Sequence, residues 1–285
     1  MEVLTYGNDA IEAVVLPDAG ARLHRLRAFG HDLLRTPDDP ARHLSEPFFW
    51  GGYVMAPWCN RIEPRPEIVA SRRVDLLPNF PDGSAIHGQV FVRPWKVRDD
   101  GSCAVRGGGE GWPWPYQVHQ RVAISGTELR IELDLTNLGE DPMPAGLGLH
   151  PWFRRPLLLA IGASRAFDDN TMSEQRPRRV TTPFDLRVMG EIASGLDATW
   201  ADLADPAVEL SWTEVGVRAA MRIEPRQSFV VAASPDGLDA IAIEPQTHGP
   251  NGLQRLLNGE TAAMTLLSPA DTLSLVARLE FEQLE

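Results

Sequence analysis

Two short stretches carry residue types suited to acid–base chemistry, and they share one layout. In Gly-Leu-Gly-Leu-His-Pro-Trp-Phe (146–153), strand alternation sends Leu147 and Leu149 to one face and Gly146, Gly148 and His150 to the other. In Leu-Asp-Ala-Ile-Ala-Ile-Glu-Pro-Gln-Thr (238–247), Ile241 and Ile243 share one face, while Ala240, Ala242 and Glu244 share the opposite one. A proline follows the titratable residue each time and interrupts ladder pairing. Each stretch reads as a strand packed on a core by its apolar side, with the bare side clearing room for a ligand. His150 and Glu244 then stand at the rim as a candidate general acid and general base. A glutamate starts about two to three units below neutrality, so a base of this kind works best when burial raises its pKa.

The elements that hold these two stretches are predicted to be strands. Val118, Gln120, Val122 and Ile124 lead to a Ser125-Gly126 turn, after which Leu129, Ile131, Leu133 and Leu135 alternate with Arg130, Glu132 and Asp134. That pattern predicts a hairpin with one buried and one wet face. Further short strands are expected at 13–17, 22–28, 90–97, 219–223, 228–232, 263–267 and 273–280. The 24 glycines and 24 prolines punctuate the gaps between them. Short helices are expected at 196–203 and 252–257, and a surface loop over roughly 160–195. Many short strands with few helices predict an all-β, antiparallel sandwich. No low-complexity linker or fixed-period repeat divides the chain, so residues 1–285 are expected to form one domain.

Composition removes several function classes. The chain has 285 residues and a formal net charge of −12, which repels polyanionic nucleic acid. The densest basic cluster, Arg176, Arg178 and Arg179, is short and sits in a polar loop. Two cysteines, Cys59 and Cys103, do not describe a disulfide scaffold. The amino terminus has neither a basic nor an apolar signal segment, and no apolar run is long enough to span a bilayer. The expectation is a cytoplasmic protein that binds neither nucleic acid nor membrane and acts as a monomer or homodimer.

The order of distinctive segments carries more. Gly51-Gly52-Tyr53 runs on to Pro57-Trp58-Cys59-Asn60-Arg61-Ile62; Ala85-Ile86-His87-Gly88 follows, then Gly148-Leu149-His150-Pro151-Trp152-Phe153, Gly195-Leu196-Asp197 and Glu244-Pro245-Gln246-Thr247. In content and order this series resembles the aldose 1-epimerase (galactose mutarotase) family over nearly the whole chain. The resemblance implies the large β-sandwich of the mutarotase-like fold, a supersandwich with a sugar cleft on one face. It implies His150 as general acid and Glu244 as general base, with Arg61, His87 and Asp197 holding sugar hydroxyls and Asn60 assisting. Trp152 stands where the family usually has Tyr, and the segment after Asp197 departs from the family's pattern.

The chemistry asks for such groups independently. Exchanging α and β anomers requires a base at the C1 hydroxyl and an acid at the ring oxygen, with no metal, nucleotide or other cofactor. The expected partner is a small-molecule sugar. Other readings of the same residues are a sugar-binding protein without turnover and a mutarotase of a sugar phosphate, the latter motivated by Arg65 and the 176–179 cluster. His87, His150, His248 and Glu244 could form a two-His-one-carboxylate metal set, but no His-X-His or His-Glu-X-X-His spacing supports one. Asp197 also fits the N-cap of a short helix, and Trp58 a sugar platform. His119 is expected to be exposed.

Overall fold

The computed structural model describes residues 1–109, 111–168 and 176–284. Seventeen strands join one large antiparallel sheet that curls on itself, and three two-stranded pairs flank it. Among the described residues the α-helices are Arg42–Ser45 and Gly252–Leu257, and none is long and apolar enough to cross a membrane.

The hairpin predicted from alternation runs Trp112–Ser125 and Glu128–Asn137. Ser125 pairs with Glu128, leaving the two-residue turn Gly126-Thr127. Gly126 has φ +58°, the left-handed value that such tight hairpin turns require and glycine supplies. Leu129, Ile131, Leu133 and Leu135 are buried, each contributing on the order of 2 kcal/mol through apolar area removed from water. Their strand pairs on its other edge with Thr272–Gln283, so the expected 273–280 strand is present and longer.

Five strands form the floor that concerns function, in the spatial order Gly52–Met55, Gly148–Arg154, Ala240–Gln246, Phe229–Ala233 and Asp197–Trp212. Leu149 and Phe153, Ile241 and Ile243, and Ala198 and Trp200 all join the main core. Tyr53, Trp152, Ala240 and Ala242 belong to a separate apolar cluster on the opposite face. The alternation read from the sequence therefore holds on both strands that carry His150 and Glu244.

Three expectations change. Residues 196–203 are not helical: Asp197 opens a 16-residue strand. Leu196, Trp200 and Leu203 have helical spacing, but both edges of this strand find ladder partners, Leu158–Phe167 on one side and Phe229–Ala233 on the other. Tertiary pairing outweighs a weak local preference. Leu158–Phe167 likewise replaces the first part of the expected surface loop, of which residues 169–175 lie outside the described residues. Of the expected strand at 90–97 only Lys96–Val97 pairs.

Beside the floor, a parallel bridge joins Ala56 to Gly88, and Arg61–Ile62 pairs with Ala85–Ile86. Gly88 has φ +77°, and a Cβ there would lie 1.9 Å from the Ala56 carbonyl oxygen. The close approach admits only glycine. Gly88→Ala should lower stability by roughly 2–4 kcal/mol, read by urea unfolding; a loss below about 0.5 kcal/mol would show that the bridge bears little of the local structure.

Candidate active site

Register brings the two titratable residues together. Gly148 pairs with Gln246 and Trp152 with Ala242, so His150 lies across from Glu244 on the same face. Tyr53 pairs with His150, and Glu244 with Val231, which pairs in turn with Thr199. The next row reads Trp152, Ala242, Ala233, Asp197. Asp197 therefore reaches this face by strand register, and its N-cap reading falls away with the helix.

His150 Nε2 is 3.1 Å from Glu244 Oε1, with both side chains almost fully buried. The imidazole stacks on the Tyr53 ring at 4.4 Å and 21°, and meets the His87 ring edge-on at 5.0 Å. Gln246 Nε2 donates to Glu244 Oε2 at 2.8 Å. Burial pushes the Glu244 carboxyl up to about 8; the negative field of Asp197 adds to this, while the Gln246 hydrogen bond and Arg61 oppose it. Burial holds the His150 imidazole well below its ordinary value, with His87 and Arg22 acting in the same direction. Both shifts disfavour charge in a desolvated place. Near neutral pH the carboxyl is therefore held protonated and the imidazole neutral.

The hydroxyl-binding candidates come from the Pro57–Ile62 and Ala85–Gly88 segments. Asn60 and His87 both adopt positive φ, +55° and +60°. The Asn60 backbone N–H donates to His87 Nδ1 at 3.3 Å, and the His87 N–H to the Asn60 carbonyl at 3.1 Å. Accepting at Nδ1 makes Nε2 the N–H donor of the neutral ring; burial, then Arg61, takes this imidazole down to about 3. Asn60 Oδ1 accepts from the Arg61 backbone N–H at 2.9 Å and from Nη1 at 3.3 Å. Arg61 also bonds Asp82 at 2.7 Å and lies 3.8 Å from Asp197. His150, Glu244, Asn60, Arg61, His87 and Asp197 thus line one cleft, walled by Phe48, Phe49, Phe80 and Trp152.

Other sequence expectations are corrected. The room opposite Gly146 and Gly148 is filled by protein: a Cβ on Gly146 would lie 2.4 Å from the His248 ring, and one on Gly148 2.5 Å from Met55 Cε. His248 faces away from a metal set, its Nε2 accepting the Cys59 N–H and its Nδ1 bonded to the Gly249 carbonyl. Trp58 is buried against Trp112 rather than offered as a platform, and His119 is half-buried beside Gln117. Tyr53, Asp82 and Gln246 were not anticipated. Gln246 was within reach of the alternation argument, since it follows Glu244 by two residues and shares its face.

The raised Glu244 carboxyl has a consequence for stability. In the unfolded chain it releases its proton near its ordinary 4.5, and in the folded protein only near 8. Between those values the folded state binds more protons, so this contribution is full below about pH 4.5 and is lost as pH rises to about 8. Glu244→Gln, which cannot titrate, should gain stability relative to the parent between pH 4.5 and 8.5, on the order of 3 kcal/mol. Urea unfolding at both pH values checks this; a difference that does not change with pH would contradict it.

The family described as aldose 1-epimerase matches residues 2–268. A curated relative, the uncharacterized protein YphB of Escherichia coli strain K12, is 29% identical over 105 residues, 35% of this chain and 36% of the relative; the match spans about a third of that protein's length. Among solved structures, a galactose mutarotase-like protein from Clostridium acetobutylicum superposes with a TM-score of 0.82 at 17% identity, covering 99% of this chain and 95% of that one. An aldose epimerase homologue from C. elegans gives 0.82 at 16% identity over 100% and 99%. Galactose 1-epimerase from Lactobacillus acidophilus NCFM gives 0.79 at 17% identity over 99% and 95%. At these identities the structures speak for the fold, and the match over residues 2–268 speaks for membership: the chain belongs to the aldose 1-epimerase family.

Proposed function

We propose that the protein is an aldose 1-epimerase that interconverts the α and β anomers of a free aldose. The observation that carries this reading is the buried His150–Glu244 contact of 3.1 Å on the floor of a cleft rimmed by hydroxyl-binding groups. As sugar binds, the shared proton moves from Glu244 to His150 Nε2. The Glu244 carboxylate then takes the proton of the C1 hydroxyl, and the imidazolium gives its proton to the ring oxygen. The C1–O5 bond breaks and C1=O1 forms. These transfers leave a neutral carboxyl and a neutral imidazole, the same pair that rests in the free protein. Rotation about C1–C2 and the reverse transfers yield the other anomer.

Asn60, Arg61, His87 and Asp197 orient the sugar through donors and acceptors that hydroxyls match, and the Trp152 and Phe walls suit its C–H faces. Cleft charge favours a neutral sugar over a phosphorylated one. Arg61 is the lining cation, and it is held between Asp82 and Asp197. Arg65 serves Glu63, Glu67 and Gln254 instead, and Arg176, Arg178 and Arg179 do not line the cleft.

His150→Ala and Glu244→Ala should each slow anomer exchange by about 10²–10⁴-fold while the fold persists by circular dichroism. Polarimetry and NMR exchange on glucose, galactose, xylose, arabinose, rhamnose and their phosphates measure this. Parent-like rates in either variant refute the mechanism. Calorimetric sugar binding by the parent with no rate above buffer would instead favour a binding protein.

A further inference from the structure

Arg22 lies behind the acid and takes no part in the mechanism above. It is fully buried in the strand Arg22–Ala28. Its Nη1 donates to the Trp50 carbonyl at 2.8 Å and its Nη2 to the Phe91 carbonyl at 3.3 Å, while Nε is buried without a partner. Its ion-pair ledger is empty among the described residues. The guanidinium lies 4.7 Å from the centre of the Tyr53 ring, and the opposite neighbour in that stack is His150, at 4.4 Å from the same ring. Guanidinium, phenol and imidazole thus form a three-layer stack ending at the reacting nitrogen's own ring.

Two carbonyl acceptors do not require a charge, and an unpaired buried charge is costly. We infer that Arg22 is a positioning residue for the acid–base pair, which through Tyr53 holds the His150 imidazole in place and opposes a positive charge on it. This inference rests on the reading of His150 and Glu244 as acid and base. The Arg22 charge lies no more than about 9 Å from the imidazole, a distance at which an effective dielectric of about 20 makes a unit charge worth roughly one pH unit.

Other groups also face the imidazole. Glu244 faces it from the neighbouring strand as a carboxyl that burial holds protonated near neutral pH. His87 at its edge also disfavours its charge, Tyr53 is a buried phenol held in its neutral form, and Arg61 and Asp197 act on the neighbouring Glu244. Cys59, also beside Glu244, is kept a thiol by burial. His43, which lies against Arg22 and bonds His24 at 2.8 Å, is pushed down to about 2 by burial and then by Arg22, and adds no second positive charge. His24 is likewise lowered by burial.

Arg22→Met removes the charge at similar volume, and Arg22→Lys keeps it while losing the two-pronged donation. The His150 ring is followed by ¹⁵N NMR from pH 4 to 9, beside the pH profile of anomer exchange. In Arg22→Met the imidazole should titrate about one unit higher than in the parent, and the acidic limb of the rate profile should rise with it, a tenfold lower relative rate below the limb. Arg22→Lys should track the parent. Coincident parent and Met curves, flat ones included, overturn the inference, as does a Lys variant that follows Met. If Met does not fold, the Lys comparison alone decides; failure of both to fold makes Arg22 a strut and overturns it too. The titration needs no turnover, so a parent that proves inactive defeats the enzymatic reading and leaves this comparison standing.

Discussion

The site depends on one cross-strand register. Pairing of Gly148–Arg154 with Ala240–Gln246, fixed by Gly148 against Gln246 and Trp152 against Ala242, puts an imidazole and a carboxyl face to face without any loop to aim them. A slip of one residue would turn His150 into the core and bring Leu149 to the cleft, since side chains alternate with period two. The apolar faces prevent that slip. Leu149, Phe153, Ile241 and Ile243 are all buried in the main core, and each would be exposed to the polar cleft in the wrong register. Packing free energy on one face of the sheet thus enforces chemical geometry on the other.

Burial then sets the protonation of what register has placed. Both groups are pushed toward neutrality, so the contact between them joins an uncharged carboxyl and an uncharged imidazole rather than a fixed ion pair. Arg61 and Asp197 act at longer range with opposite signs on the carboxyl. The two lie 3.8 Å from each other.

Much of this was legible in the sequence, and the gaps have physical reasons. Alternation showed which faces of the His150 and Glu244 strands are apolar, because period two is a property of each strand alone. Which strands lie side by side is a property of the whole sheet, so the Asp197 strand, whose spacing of Leu196, Trp200 and Leu203 also fits a helix, was misread until its two neighbours were known. The bare face of Gly146 and Gly148 was read correctly as small and wrongly as empty, since a sequence does not say that His248, Met55 and Cys59 return to that space. Arg22 in the run Arg-Leu-His-Arg-Leu-Arg looks like an ordinary polar position. Only the curled sheet, which folds Tyr53 over it, removes it from water.

Trp152 links floor and wall. Its indole N–H donates to the Phe48 carbonyl at 2.6 Å, and its ring contacts both Phe49 and His150. The segment that carries the aromatic wall is therefore fastened to the same strand that carries His150. Swinging that wall outward would strip a buried indole of its hydrogen bond, a cost of about 1–3 kcal/mol, so the wall stands assembled before any ligand arrives. A ligand entering such a cleft loses its own freedom and its water but does not have to order the side chains that receive it. Recognition then discriminates by shape already present, and a ligand too bulky for the cleft that Trp152 and Phe49 help to wall is refused rather than accommodated.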